Sequence, residues 1–529
     1  MTDTPSAAPR TPARPNILLI TSDQHHYTCL GVTTPQLKTP ALDRLAHEGT
    51  RFTRAYTPNP VCTPARASII TGLYPSLHGA WTIGVKLPED VPTVGTTFSL
   101  HGYATALIGK AHFQPLASTP ASPSLEAQPT LRDLEFWKGF HGPWYGFDHV
   151  EVCRNHADES HAGQHYALWL EEQGLSNWKE YFQPWPPDPQ RKRRYGAWEL
   201  PERYHYNVWI AERSTAFLRQ ARAAQQPFFL WASFPDPHPP YLVPEPWASM
   251  YDPAAMEPGA LVPGEHDANP PHFRLTQEAQ TDFSPWRETF ANHGFQSHRH
   301  TRETMQRHLA LYYGMLSLMD REIGRILATL DELGLAEDTL VVFTTDHGHF
   351  LGQHGLMAKG AFHYEDLVRV PFLVRWPGRV PAARVSQTLQ STVDLAPTFL
   401  SAAGFPVPGL MQGYDQLPVW LEGQDALLST PPRGRAQGAH VGPRDHVIVE
   451  NRHQPTRLHL RTYIDQRYKL TVYRDGAHGE LFDLAEDPDE VHNLWDDPAS
   501  AALKGQLLLN AVQYEIRREP TRMPRVSGA

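Results

Sequence analysis

The segment Cys62-Thr63-Pro64-Ala65-Arg66 carries the densest chemistry in this 529-residue chain. Pro64 suits the first turn of a helix. Residues 65–70 continue that helix, and Thr71-Gly72 end it. Cys62 therefore stands at or next to a helix N-terminus, where free N–H groups and the dipole favour an anion. Arg66, one turn on, can reach back toward position 62. Taken alone, the segment reads equally as a buried structural cysteine ahead of a helix.

Four short apolar runs end in ionisable residues. Residues 16–21 lead into Asp23-Gln24, and residues 104–108 into Lys110 and His112. Residues 228–233 lead into Asp236-Pro237-His238, and residues 340–344 into Asp346-His347, with His354 and Lys359 close behind. Each has a plain reading as well: an acid that caps a turn, a solvated lysine, an ordinary histidine. Together, two acids with Gln24 and His347 make an oxygen-rich site for a hard divalent ion. The imidazole adds tolerance for Mn²⁺ or Zn²⁺.

The elements that must position these groups follow from the pattern. Continuous apolar runs are strands buried on both faces. Residues 371–375 form a fifth. A helix opens at Thr39-Pro40 and runs to about His47, and a long one covers residues 309–330, closed by Gly334. Strands alternating with helices predict an α/β fold with a parallel sheet, in which ligands bind at the carboxyl ends of the strands. Residues distant in sequence should then converge on one rim. The stretches 114–204 and 245–302, rich in Pro, Trp, His and charge, read as insertions over that rim; the second reads also as disordered surface. The first holds a patch with Arg154, His156, His161 and His165, suited to an acidic sugar or a second anionic group. Its Trp137, Trp144 and Trp185 are equally ring-stacking residues or loop core.

Length predicts two domains. Residues 1–15 read as a disordered tail, 16–428 as the catalytic domain, and 429–444 as a linker. Residues 445–529 read as a small α+β subdomain, with strands at 446–450, 458–464 and 468–473 and a helix at 503–516. The net charge of −10 is mixed along the chain and lacks the basic stripe of a nucleic-acid protein. No run of about 18 apolar residues predicts a membrane span. Three cysteines fit a reducing compartment rather than a disulfide framework. The N-terminus has no apolar core of signal-peptide length, so the cytoplasm is expected.

At this point the motifs resemble those of a known family. Cys62-x-Pro-x-Arg66 followed by Ala67-Ser68-Ile69-Ile70-Thr71-Gly72 is similar to the signature of the formylglycine-dependent sulfatases of the alkaline-phosphatase superfamily. The resemblance extends in order through Asp23-Gln24, Thr39-Pro40, Gly109-Lys110-Ala111-His112, Asp236-Pro237-His238, Asp346-His347-Gly348, Arg369-Val370-Pro371 and Gly479-Glu480-Leu481-Phe482-Asp483-Leu484. It implies a mostly parallel, mixed sheet flanked by helices, with a smaller C-terminal antiparallel sheet plus helix. It also implies that a formylglycine-generating maturase oxidises Cys62 to 3-oxoalanine (formylglycine).

The hydrated aldehyde, stabilised by Arg66, would attack the sulfur of a carbohydrate or small-molecule sulfate ester. Asp23, Gln24, Asp346, His347 and position 62 would hold the metal. Family precedent favours Ca²⁺ over Mn²⁺, Mg²⁺ or Zn²⁺. Lys110 and Lys359 would hold sulfate oxygens, and His238 would protonate the leaving alcohol. His112 would act as the base that releases sulfate, while His156, His161, His165 and His354 would meet the substrate. Asp23-Gln24 and Asp346-His347 depart from the Asp-Asp and Asp-Asn pairs of many sulfatases. The second resembles the form found in uronate 2-sulfatases and phosphonate monoester hydrolases. Hydrolysis of a phosphonate monoester or phosphodiester is therefore a competing reading, and non-catalytic binding of a sulfated ligand is a third.

Overall fold

The computed structural model describes residues 14–154, 156–191, 195–279, 300–422, 440–452 and 457–519. The expected tail over 1–13 and most of the expected linker lie outside them. Eight strands form the central sheet: β1 (Asn16–Ser22), β2 (Thr50–Phe52), β3 (Ala104–Gly109), β4 (His149–Val152), β5 (Phe228–Ser233), β6 (Thr339–Thr345), β7 (Leu373–Arg375) and β8 (Arg384–Ser386). Their order is β8-β2-β7-β6-β1-β5-β3-β4. The five strands from β6 to β4 run parallel, whereas β7 is antiparallel to both neighbours.

Alternating side chains of β1 explain why its apolar run is continuous. Leu18 and Ile20 face a core shared with α1 (Pro40–Glu48), α4 (Tyr206–Ala223) and α5 (Arg302–Glu332). Ile17 and Leu19 face the other core, with α2 (Cys62–Thr71) and α6 (Leu395–Ala402). Both faces are dry, so every position is apolar.

Two expectations need correction. The stretch 114–204 is not only an insertion, because it contributes edge strand β4 and helix α3 (Gln164–Glu172). Strand β4 was missed because four residues inside a polar region give too short a window for a period-2 signal. Within the expected linker, Arg444 is fully buried and forked onto Asp394, with its guanidinium 4.0 Å from the centre of the Tyr414 ring.

The C-terminal part forms an antiparallel meander of β9 (Val447–Arg452), β10 (His459–Ile464), β11 (Tyr468–Tyr473) and β12 (Gly479–Asp483). Helix α7 (Ala501–Arg517) packs on it through Leu507 and Tyr514. This sheet matters to the site because it holds the loop that carries Lys359. His363 Nδ1 bonds Thr462 Oγ1 at 2.6 Å, and the Glu365 amide donates to Glu490 Oε2 at 2.6 Å. Buried Lys469 pairs with both Glu365 and Glu490. Strand β9 also braces the approach to Cys62, where the Glu450 amide donates to Pro58 O at 2.8 Å. Among the described residues no helix is long and apolar enough to cross a membrane.

Candidate active site

Cys62 is the first residue of α2, preceded by Val61 in extended conformation. Gly72, at φ 65°, closes that helix by donating to Ser68 O. All ten helical residues are buried, so the positive end of the dipole acts with little screening by water.

Arg66 joins four strand ends. Its Nη2 donates to Asp23 Oδ2 and its Nε to Asp346 Oδ2, each at 3.1 Å. Its Nη1 donates to Lys110 O at 2.9 Å and Ser233 Oγ at 2.8 Å. The ends of β1, β3, β5 and β6 are thereby tied to one guanidinium. Gly109 permits this closeness: at φ 107°, a Cβ there would lie 1.9 Å from Ser233 O.

Lys110 pairs with Asp23, and its Nζ donates to His156 Nε2 at 2.6 Å. Lys359 Nζ lies 3.0 Å from Cys62 Sγ and 3.3 Å from His238 Nε2. The rings of His156 and His238 stack at 3.8 Å with 4° between their planes. Lys110, His156, His238 and Lys359 thus form a continuous arc. Burial by itself would raise the Asp23 pKa, but Lys110 and Arg66 hold that carboxyl well below its usual range. Burial and Asp23 push the Cys62 thiol up to about 11 against the pull of Lys359. The unmodified side chain is then a protonated thiol, a poor nucleophile.

Asp23, Cys62, Asp346 and His347 offer one ligand atom each within 4.8 Å of one another. The donor set fits a divalent cation on two further counts. His347 Nδ1 donates to Gly348 O at 2.9 Å, which leaves the lone pair of Nε2 free, 3.2 Å from Sγ. Gln24 Oε1 is buried with no hydrogen-bond partner among the described residues. Gln24 Nε2 instead donates to His349 Nδ1 at 2.6 Å, and His349 Nε2 bonds Tyr241 Oη at 2.7 Å. Gln24, at φ 62°, sits in the left-handed region that non-glycine residues rarely occupy.

The model of the Sulfatase family matches residues 15–405 of this chain. The chain belongs to the sulfatase family. This sulfatase is 29% identical over 502 residues to the uncharacterized sulfatase YidJ of Escherichia coli K12, covering 93% of this chain and 86% of YidJ. It is 28% identical over 527 residues to the multifunctional alkaline phosphatase superfamily protein PehA of Trinickia caryophylli, covering 95% of each. Its fold matches the phosphonate monoester hydrolase SpPMH from Silicibacter pomeroyi with a TM-score of 0.75, at 24% identity and over 97% of this chain and 98% of that one.

The sulfatase brings Asp23, Gln24, Cys62, Arg66, Lys110, His238, Asp346, His347 and Lys359 together as the strand-end reasoning required. His156 joins them through Lys110. His161 stands further out, 3.5 Å from Glu159 and edge-on to the half-exposed Trp185. Two expected substrate contacts are corrected. His165 is a structural residue: its Nδ1 accepts from the Val152 amide at 3.0 Å and its Nε2 bonds Phe140 O at 2.8 Å. Trp137 and Trp144 are buried core as well.

His354 is the second correction. It lies between Glu265 at 3.3 Å and Asp366 at 3.5 Å and stacks on Tyr364. Burial would lower its pKa, but the two carboxylates win and push it up to about 9. Its stabilising contribution is therefore complete below about pH 6.5 and lost as pH rises through about 9, and is worth up to about 3 kcal/mol. In urea titrations at pH 6 the wild type should outlast His354→Gln clearly, and the gap should close by pH 10. An equal gap at both pH values would refute this account.

Sequence reasoning missed Ser233, His349, Tyr241 and the acids Glu126 and Glu159 as parts of the site. Only His349, two residues past His347, lay next to a recognised motif.

Proposed function

We propose that this sulfatase hydrolyses a sulfate monoester of a carbohydrate or small alcohol, with Cys62 oxidised to formylglycine and one divalent cation, Ca²⁺ first, bound beside it. The observation that carries this reading is Cys62 itself. It is an inert thiol at a helix N-terminus, within ligand distance of Asp23 and His347 and 3.0 Å from Lys359 Nζ. Its Sγ stands in for the oxygen of the matured side chain. Asp23, Gln24, Asp346 and His347 would hold the cation. When present, the cation supplies Lewis-acid charge stabilisation and the hydrated aldehyde supplies the attacking oxygen.

The chain's own residues do the rest. Lys110 and Lys359 flank position 62 and bind the anionic ester, and both are desolvated, which strengthens them. His238 Nδ1 donates to Pro239 O at 2.6 Å, which leaves its Nε2 as an acceptor facing Lys359. The Lys359–His238 pair is thus placed to pass a proton to the leaving alcohol. The three free, buried cysteines agree with a cytoplasmic site of action.

The likeness to PehA and to SpPMH favours phosphonate monoester or phosphodiester hydrolysis as the second reading. Those esters carry a substituent where sulfate has a bare oxygen, so the site must either hold that oxygen or leave room. The closed Lys110–His156–His238–Lys359 arc supports sulfate. Mass spectrometry of the peptide carrying residue 62 should show the mass loss of thiol-to-aldehyde conversion. Steady-state rates should be higher on aryl sulfate than on aryl phosphonate monoester, and the reverse order would select the second reading.

The Gln24–His349 contact yields a prediction about the cation. His349 accepts from Gln24 Nε2, so the amide must turn Oε1 toward the other ligands. His349→Leu removes that constraint and should weaken Ca²⁺ binding about 10- to 100-fold by calorimetric titration. Wild-type affinity in this variant would remove Gln24 Oε1 from the ligand set.

A further inference from the structure

His112 leaves the end of β3 at φ 59°, another left-handed non-glycine position at the site. It is 4% exposed. Its Nε2 lies 2.9 Å from Arg154 Nη2. A guanidinium has five donors and no acceptor and stays protonated in proteins. Nε2 must therefore be the acceptor, and the single proton of the neutral ring sits on Nδ1. Arg154 is itself held, with its Nε 3.1 Å from Glu126 Oε2 and its Nη1 3.8 Å from Glu159 Oε2.

Two other imidazoles of the site also turn Nε2 toward a cation: His156 toward Lys110, and His238 toward Lys359. Their Nδ1 atoms are occupied, by Glu159 at 3.2 Å and by Pro239 O. His112 differs. Its Nδ1 is buried and has no hydrogen-bond partner among the described residues. A buried N–H without a partner costs about 1–3 kcal/mol, and a ligand atom is the natural way to recover it.

We propose that His112 acts in this sulfatase as a fixed hydrogen-bond donor through Nδ1–H, aimed at an oxygen of the bound ester or of matured residue 62, and that Arg154 is the positioning residue that sets this tautomer. The inference rests on the proposed sulfatase chemistry and replaces the base expected at this position. A base needs a free lone pair, and here the lone pair belongs to Arg154. The surroundings agree: burial, then Arg154, Lys110 and Arg66, outweigh Asp23 and hold the ring well below its ordinary pKa. His112 neither takes nor gives up a proton during turnover.

Asparagine separates a donor from a base, because its amide nitrogen reaches the place of imidazole Nδ1 and has no basicity. Glutamine places its amide near Nε2. The full chain is used throughout, with melting curves and the aldehyde content of residue 62 measured for each variant. On aryl sulfate, His112→Ala and His112→Gln should lose about 10²-fold in kcat/KM, the size of one removed oxyanion donor. His112→Asn should recover to within about tenfold of wild type, with the acidic limb of its pH profile unmoved. Arg154→Met should leave the tautomer unset and introduce a new acidic limb in the ordinary histidine range. His112→Asn as poor as His112→Ala at equal aldehyde content, or the disappearance of a wild-type limb in His112→Asn, would overturn the donor role. A wild-type protein that carries the aldehyde but turns over no sulfate overturns the proposed function instead, whatever the ranking of the variants.

Discussion

Cys62→Ala should lower turnover of aryl sulfate by about 10⁴-fold or more while leaving the fold intact. The size follows from removing the nucleophile rather than one of its supports. The fold should survive because Sγ is small and its contacts are with groups that have other partners. Lys359 keeps His238, and Asp23 keeps Arg66 and Lys110. Ca²⁺ binding should persist in this variant, since Asp23, Gln24, Asp346 and His347 remain. Stopped assays, melting curves and calorimetric titration on the same preparation separate these expectations. Wild-type turnover by Cys62→Ala would end the formylglycine mechanism for this chain. Cys62→Ser, which keeps a small polar atom beside Lys359, should be as inactive in a host whose maturase acts only on cysteine.

Arg66→Met should destabilise the protein by about 3–5 kcal/mol, the usual cost of removing one partner from a buried charge network. Arg66 has no exposed surface and serves two carboxylates, one carbonyl and one hydroxyl. Methionine fills similar volume, so the loss reads charge and hydrogen bonds rather than packing. The carboxylates of Asp23 and Asp346 would be left facing one another with only Lys110 between them and net repulsion. A divalent cation offsets that same repulsion. Added Ca²⁺ should therefore raise the urea midpoint of Arg66→Met more than that of the wild type. Arg66→Lys should fall between the two, because an ammonium cannot fork to Asp23 and Asp346 at once. A wild-type midpoint for Arg66→Met without cation would show that the network does not hold the strand ends together.

Much of the site was legible in the residues because its signals are local. The apolar runs of β1, β3, β5 and β6 are long enough to read, and the first ionisable residues after them are Asp23, Lys110, Asp236 and Asp346. Helix α2 announces itself through Pro64 and Gly72. Strands β2, β4 and β8 were invisible, at three or four residues each inside polar sequence. They exist because neighbouring strands supply their hydrogen bonds, and that information lies elsewhere in the chain. Histidine was the hardest residue type to place. His156, His165 and His354 look alike in sequence, yet one lines the site, one caps a loop through two backbone bonds, and one is a buried cation between Glu265 and Asp366.

By itself, then, the sequence determined the α/β architecture, the rim where ligands bind and the identity of most groups that meet there. Periodicity and strand ends are properties of neighbours along the chain. Only the tertiary structure decided which partner each polar group takes. Arg154 meets His112, His349 turns Gln24, and a C-terminal sheet about a hundred residues downstream pins the Lys359 loop through Lys469 and Thr462. The physical reason is that a buried polar atom must find a partner wherever the fold brings one, and nothing in the local sequence specifies that distance.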